Sequence, residues 1–272
     1  MKSLLILARH SLGRIRILMA VMGALLGLFQ VFLIIVANSI QRSDAFEQIG
    51  ALIPPFIREM LGPSVTSFMS YTGIVCVGYF HLSVMGSLIA LSIVLATIPT
   101  SEVETGFIDL ILSRPLARHW IITRTILIVV LCTAGLLTVM IAGTWIGLNT
   151  LALPDVSWPS STLVLSLATN LWLLMLCWSG IAMAIGSAAR RRSVAGGLAG
   201  MIALATFLLD YIARAWQPAE SIAWLSPLRY FNPFLLLDGR PLAFMNIAVL
   251  AGIAISGFVA SYAIFSRRDI SH

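Results

Sequence analysis

The chain has 272 residues, of which 59% are hydrophobic and 10% are charged, and its mean hydropathy is +0.99. Soluble domains carry about 45–50% apolar and about 25% charged residues, so this composition excludes an ordinary water-soluble protein. The formal net charge of +6 comes without blocks of Lys and Arg interleaved with aromatic residues, so we expect no nucleic-acid partner.

Six stretches are apolar and long enough to cross a bilayer as helices, which takes about 20 residues each. We predict spans over 17–36, 73–98, 126–148, 163–185, 194–212 and 247–265. No polar stretch between them is long enough to fold as a separate domain, so residues 1–272 are predicted to form a single transmembrane domain. The fold class expected is an all-α polytopic membrane protein with six transmembrane helices.

An amphipathic interfacial helix is predicted over 1–16, before the first span. Basic residues recur there every seven positions, and the apolar positions between them define an opposite side. The basic side is formed by Lys2, Arg9 and Arg16, and the apolar side by Leu5, Ala8, Leu12 and Ile15. The alternative is a basic flank that only orients the first span.

Two longer polar segments are expected on the outer side of the membrane. Pro54 and Pro55 break any helix within 39–72, so short interfacial helices are expected there. Pro227 and Pro233 cut the segment 211–242 into pieces too short to span. Its aromatic residues suit a membrane interface, so we predict short outer-leaflet helices before the last span.

The distribution of Lys and Arg predicts the orientation, because basic residues favour the cytoplasmic side of short loops. With both termini in the cytoplasm, twelve basic residues fall on inner segments and five on outer ones. The inner set is Lys2, Arg9, Arg14, Arg16, Arg114, Arg118, Arg124, Arg190, Arg191, Arg192, Arg267 and Arg268, and the outer set is Arg42, Arg58, Arg214, Arg229 and Arg240. We therefore expect a multi-pass protein of the cytoplasmic membrane that contacts lipids through its apolar surface.

Two GxxxG patterns mark candidate helix-packing faces. Gly23 and Gly27 lie in the first predicted span, and Gly196 and Gly200 lie in the fifth. Small residues at this spacing let helix backbones approach closely in a membrane. The pairs predict faces for a membrane dimer, although an apolar chain also produces such pairs by chance.

Residues for catalysis or ion coupling are scarce. The predicted spans hold no Asp or Glu apart from Asp210 at the end of the fifth, which disfavours a proton- or sodium-coupled carrier. The cysteines Cys76, Cys132 and Cys177 lack metal-ligand spacing, and no GxSxG or HExxH sequence occurs, so neither a metal site nor a catalytic residue is predicted. Lys2 is the only lysine, so a Walker A loop cannot be formed and any ATP must be hydrolysed by another chain.

A polar stretch, SEVETGFIDLILSRPLAR, occupies 101–118 between the second and third predicted spans. Ser101 and Glu104 have the spacing of a capping box, which predicts a helix beginning there. One apolar face would be formed by Val103, Phe107, Leu110 and Ile111, and the other sides by Glu102, Thr105, Gly106 and Asp109. Ser113, Arg114 and Pro115 are expected to end it, giving a short surface-parallel helix over 101–113. The alternative is a solvated loop.

This stretch resembles the cytoplasmic segment between the second and third spans of type-2 ABC exporter permeases. The positions that match the pattern of that family are Glu102, Glu104, Gly106, Leu110, Leu112, Ser113, Pro115, Leu116 and Arg118. Phe107 and Ala117 depart from it, where the family often has Thr and Ser. Near the end of the chain, YFNPFLLLDG and FSRRDI are similar to the outer Pro-containing segment and the terminal Phe-x-x-Arg-Asp of the same family.

The resemblance implies a permease subunit that pairs in the membrane with a second copy or a related permease, with two separate ATPase subunits docked beneath the pair. ATP and Mg would be bound by the ATPase, and this chain would hold no cofactor. The helix would be a coupling helix, with ATPase-coupling residues Glu102, Glu104, Gly106, Phe107, Asp109, Leu110, Ser113, Arg114 and Pro115. Its carboxylates are expected to face basic residues of the partner, while an apolar side chain anchors in a groove. The alternative function is a polytopic protein without a motor, such as a channel or an assembly scaffold.

Overall fold

The computed structural model describes residues 2–43, 68–107, 119–154, 156–214 and 216–267, and within the first helix it describes side chains from Ile15 onward. These residues form helices and turns, and no β-strand occurs among them. The α-helices are α1 (Lys2–Arg42), α2 (Tyr71–Cys76), α3 (Leu82–Ala96), α4 (Ile98–Glu104), α5 (His119–Leu151), α6 (Ser161–Ala188), α7 (Arg192–Ala213), α8 (Gln217–Glu220), α9 (Pro233–Leu237) and α10 (Phe244–Arg267). Short 3-10 helices cover Val77–Tyr79, Ala223–Leu225 and Pro227–Tyr230.

Six helical segments in the described parts of the chain are long and apolar enough to cross a membrane. They are Ile15–Arg42, Tyr71–Ala96, His119–Leu151, Ser161–Ala188, Arg192–Ala213 and Phe244–Arg267. Each overlaps one of the six predicted spans. The prediction of an all-α polytopic membrane protein is thereby confirmed.

The predicted N-terminal amphipathic helix is not a separate element. α1 continues without interruption from Lys2 to Arg42, so no helix end divides residues 1–16 from the first span. The segment 1–16 contains no proline, and its single glycine, Gly13, lies within the helix. Nothing in the local sequence therefore stops the helix before the apolar run begins.

The second span is broken near its middle. The chain leaves the 3-10 helix at Phe80 and re-enters an α-helix at Leu82, with His81 in extended conformation as the N-cap. The Nδ1 atom of His81 accepts a hydrogen bond from the N–H of Ser83 at 3.3 Å. Immediately before the break, a Cβ on Gly78 would overlap the side-chain amide of Gln30, so glycine permits this close approach to α1.

α6 is the central helix of the bundle, in contact with α3, α5, α7 and α10. Trp178 is completely buried on it. The crossing with α10 is the tightest: a Cβ on Gly180 would lie 2.6 Å from the carbonyl oxygen of Ala254, and a Cβ on Gly257 would overlap the backbone of Gly180. This crossing depends on small residues from two different helices.

The two predicted GxxxG faces have different environments. Gly23 and Gly27 face Val139 of α5, and a Cβ on Gly143 would lie 2.8 Å from the carbonyl oxygen of Gly27. The expectation that this α1 face serves a dimer is therefore wrong, because α5 of the same chain covers it. In contrast, nothing lies within 4 Å of a Cβ built on Gly196 or Gly200 of α7.

Hydrogen bonds define the two ends of the bundle. At one end, called the α4 end, the hydroxyls of Thr123 and Tyr262 lie 2.7 Å apart and join the start of α5 to the last part of α10. At the opposite end, the amide of Asn38 donates to the carbonyl of Leu151 at 2.7 Å. α1 and α5 therefore both finish at the opposite end, whereas α10 finishes at the α4 end.

The segment 211–242 lies at the opposite end and consists of short pieces, as predicted from its prolines. Pro227 begins a 3-10 helix and Pro233 begins α9. The Ser226 hydroxyl donates to the carbonyl of Thr206 at 2.9 Å, which holds the segment against α7. The other predicted outer segment, 39–72, falls largely outside the described residues.

Candidate functional site

α4 is a helix of seven residues that follows α3 after a single residue, Thr97. Pro99 lies near its start, where an N–H would have no partner inside the helix. Gly106 ends it with φ +68, a left-handed conformation that favours glycine, and the N–H of Gly106 donates to the carbonyl of Val103 at 3.1 Å. α4 therefore begins and ends earlier than the sequence pattern indicates.

The predicted helix over 101–113 is wrong in its first half. Ser101 is inside α4 rather than at its cap, and the helix ends at Glu104. The capping-box pattern failed because the N-cap is Thr97, four residues before Ser101, and because Gly106 ends the helix early. The predicted site residues Asp109, Leu110, Ser113, Arg114 and Pro115 lie outside the described residues.

Glu102 of α4 forms a buried ion pair with Arg124 of α5. Oε2 of Glu102 accepts from Nη2 of Arg124 at 2.5 Å, and the side chains are 6% and 1% exposed. The expectation that Glu102 is solvated and faces a partner protein is therefore wrong. Burying a charge without a partner is very costly, so each residue requires the other.

Thr100 joins the same helix to α6. Its hydroxyl donates to the carbonyl of Gly186 at 2.9 Å, and Thr100 is 2% exposed. A Cβ on Gly186 would lie 2.7 Å from the Thr100 Oγ1 atom. The absence of a side chain at Gly186 thus allows α4 to lie directly against the last turn of α6.

Glu104 joins α4 to the start of α7. Its Oε2 atom accepts a hydrogen bond from the backbone N–H of Arg192 at 2.8 Å. The preceding residue, Arg191, is the N-cap of α7 and provides no side-chain cap of its own. Glu104 therefore caps α7, whereas the sequence pattern assigned it to its own helix, and a carboxylate is favourable at a helix N-terminus.

Arg192 extends this junction back to α3. Its Nη2 atom donates to the carbonyl of Val94 at 3.0 Å. Val94 lies in the last turn of α3, where a cation is favoured by the unpaired carbonyls and the helix dipole. Arg192 therefore donates two hydrogen bonds from the α6–α7 corner to the α3–α4 corner, one to α4 and one to α3.

The contacts define one candidate site, which we call the α4 junction: Thr100, Glu102, Glu104, Arg124, Gly186 and Arg192. It connects α4 to α5, α6 and α7 at once. Of its members, sequence reasoning found only the two carboxylates. Arg124 carried a usable signal, because an arginine beside a long apolar run needs a carboxylate partner if it is buried.

The residues that follow the α4 junction are more accessible to solvent than its buried members. Thr105 is exposed, and Gly106 and Phe107 are half-buried. Among the predicted coupling residues that the structure describes, Phe107 is the apolar side chain in a position to contact another protein. Glu104 is exposed as well, but its Oε2 atom is bound to Arg192.

Within the described parts of the chain, no group of three or more His, Cys, Asp or Glu residues could hold a metal ion. The three cysteines are free thiols buried in the spans. In comparisons with known proteins, neither a family model nor a curated protein matches the chain.

Proposed function

We propose that this chain is the membrane-spanning permease subunit of an ATP-driven ABC exporter. It would move a substrate outward across the cytoplasmic membrane by using ATP that a separate ATPase subunit hydrolyses. Two similarities in sequence support the proposal, one over 101–118 and one at the end of the chain. The observation that carries it is the α4 junction, which fixes a short helix to three spans at once.

A force on α4 would be transmitted to the bundle because the helix cannot tilt alone. Moving it away from α5 would separate the buried charges of Glu102 and Arg124, and loss of one partner of such a pair typically costs about 3–5 kcal/mol. Moving it away from α7 would uncap that helix at Arg192. Displacement of α4 is therefore accompanied by displacement of α5, α6 and α7.

The roles of the coupling residues differ from those expected from sequence. Glu102 would act as a positioning residue inside the permease, because it is buried against Arg124. The contact with the ATPase would begin at Thr105 and Phe107 and continue along 108–118. An aromatic side chain such as Phe107 is a suitable anchor for an apolar groove on the partner.

The permease would work as a pair, with a second copy or a related permease beside it in the membrane. α7 offers the better face, since nothing covers Gly196 and Gly200 while α5 covers the glycines of α1. Replacing both Gly196 and Gly200 with Ile should weaken crosslinking between cysteines placed at exposed positions of α7, such as Met201. Unchanged crosslinking would place the contact on another face.

The proposal is tested by co-purification with an ATPase. The tagged chain, solubilised from its native membrane in mild detergent, should retain a subunit that hydrolyses ATP, and the isolated chain should hydrolyse none. Phe107→Asp should release the ATPase while the permease remains monodisperse. Phe244→Asp is the matched control, because Phe244 is 82% exposed and lies at the opposite end of the bundle.

A channel or scaffold would give a different result. Purification would then yield the chain without any ATP-hydrolysing subunit, whether Phe107 is intact or substituted. ATP turnover by the chain after removal of every other protein would contradict the proposed division of labour.

A further inference from the structure

A cavity of about 320 Å³ lies at the opposite end of the bundle, bounded by α7 and by the chain that leads into α9. Its wall is mainly apolar and includes four phenylalanines, Phe80, Phe207, Phe231 and Phe234. The ring centroids of Phe80 and Phe234 are 5.5 Å apart, so these two side chains form a continuous surface. Ligand sites typically have volumes of about 300–1,000 Å³ and apolar walls with few polar groups.

The wall also holds polar groups, among them one carboxylate, the amide of Asn232 and the guanidinium of Arg214. Asp210 lines the cavity, and its side chain is 8% exposed. Its Oδ2 atom accepts from Nε and Nη2 of Arg214, at 3.1 and 2.8 Å. Its Oδ1 atom is buried and has no hydrogen-bond partner among the described residues. A buried acceptor without a donor is unfavourable, so a donor at this position would stabilise the site.

The electrostatic environment favours a cationic donor. Arg214 also lines the cavity, but its side chain is 54% exposed and its charge is therefore largely solvated. The carboxylate of Asp210 is buried, and the faces of aromatic rings attract cations. A hydrogen bond from an ammonium to a carboxylate is also stronger than one from a neutral group.

A second ion pair of the same chain shows that an acidic residue can pair with an arginine at this end of the bundle without being buried. Glu220 and Arg229 pair at 3.3 Å with both side chains largely exposed, at 57% and 41%. Their charges remain in water. Asp210 is withdrawn into an aromatic cavity although its partner Arg214 reaches solvent.

We propose that this cavity binds an amphipathic molecule with one ammonium group, which donates to Oδ1 of Asp210 while its apolar body lies against the aromatic wall. The volume, roughly that of ten water molecules in the liquid, suits a small molecule with one aromatic ring. The binding is a property of this chain alone. It can be measured without any ATPase, and its outcome is independent of the exporter proposal.

The experiment compares three probes that share a phenyl ring on a four-carbon chain and differ in the polar head group: 4-phenylbutylamine, 4-phenylbutanol and 4-phenylbutyrate. Each is titrated by calorimetry into the full-length chain in a nonionic detergent, with a titration into detergent alone subtracted. The amine should bind at least about tenfold more tightly than the alcohol, because an ammonium donates a stronger hydrogen bond to a carboxylate than a hydroxyl does. 4-Phenylbutyrate should bind most weakly.

Two variants test whether the carboxylate of Asp210 causes the preference for the amine over the alcohol. Asp210→Asn should remove the advantage of the amine over the alcohol. The double variant Asp210→Asn/Arg214→Gln should do the same and leaves no unpaired arginine, so it covers the case in which the single variant does not fold. Glu220→Gln is the matched control and should bind all three probes as the unaltered chain does, since Glu220 is not part of the cavity wall.

Equal binding of amine and alcohol by the unaltered chain would overturn the proposal, and that comparison requires no variant. If 4-phenylbutyrate bound most tightly, Arg214 would be the recognition group, and this result would also overturn the proposal. Binding of none of the probes, or full retention of the amine preference in Asp210→Asn, would have the same consequence.

Discussion

Glu102 and Arg124 form an ion pair that is almost completely withdrawn from solvent, although the two residues are 22 positions apart in sequence. The Nε atom of Arg124 is buried and has no hydrogen-bond partner among the described residues. The hydrogen bond described for the guanidinium of Arg124 is therefore accepted by a single oxygen, Oε2 of Glu102. The stability of the α4 junction should depend strongly on this pair.

Single substitutions of the pair should be more damaging than the double substitution. Glu102→Gln or Arg124→Met alone should destabilise the folded chain by about 3–5 kcal/mol, because each leaves a buried charge or polar group unpaired. Glu102→Leu together with Arg124→Met removes both charges, leaves no buried polar group at either position and should recover most of this loss. The measurement is the free energy of unfolding in mixed micelles, titrated with a denaturing detergent.

Glu220→Gln serves as the control for that cycle, because it breaks an exposed ion pair of the same chain. Exposed pairs contribute about 0–1 kcal/mol, so this variant should unfold nearly as the unaltered chain does. If Glu102→Gln is as mild as Glu220→Gln, the buried pair does not hold α4 in place.

The cap that Glu104 provides to α7 can be separated from its charge. Glu104→Gln keeps an oxygen acceptor for the N–H of Arg192, whereas Glu104→Ala removes it. Loss of a cap typically costs about 0.5–2 kcal/mol, so Ala should be the more destabilising substitution. Hydrogen exchange of the first turn of α7 reports the effect locally, and equal protection in both variants would argue against the cap.

The α6–α10 crossing should not tolerate even one additional methyl group. Gly257→Ala would place a Cβ into the backbone of Gly180, and backbone atoms cannot move aside as a side chain can. Overpacking usually costs about 1–3 kcal/mol, and we expect a loss at the upper end of that range.

Gly252→Ala on the same helix is the control for the crossing. Nothing lies within 4 Å of a Cβ built on Gly252, so this substitution should be neutral or slightly stabilising. The midpoint of thermal unfolding in detergent, read by gel filtration of the heated samples, distinguishes the two variants. Equal midpoints would mean that the helices are farther apart than described.

The basic residues predict that the α4 end faces the cytoplasm. Arg191 is exposed beside the α4 junction, and Ser161 is exposed at the opposite end, at the start of α6. In a background without Cys76, Cys132 and Cys177, Arg191→Cys should resist a membrane-impermeant thiol reagent added to intact cells. Ser161→Cys should react, and the reverse labelling pattern would invert the orientation.

The spans could be predicted from sequence because a helix in hydrocarbon must be apolar over about 20 residues, which is a local property. The pieces between Pro227 and Pro233 were also predictable, since proline acts on its own segment. The glycines of α1 were recognised as a close-approach face, but their partner was not, because the partner is a distant helix of the same chain.

The α4 junction could be predicted only in part, because its contacts join distant segments. Glu104 has the spacing of a capping box with Ser101, yet its acceptor is used by Arg192, 88 positions away. The burial of Glu102 likewise depends on where α5 packs. The α6–α10 crossing left no pattern within either helix, since Gly180 and Gly257 belong to different ones.

α3 has one further consequence, because it connects the aromatic cavity to the α4 junction. Its 15 residues extend about 22 Å at the usual rise of a helix, from the break at His81 beside the aromatic cavity to Thr97 at the start of α4. A ligand that favours one position of Phe80 and Met85, and a protein that favours one position of α4, would act on the same helix. Their affinities would then be linked by equal factors in both directions.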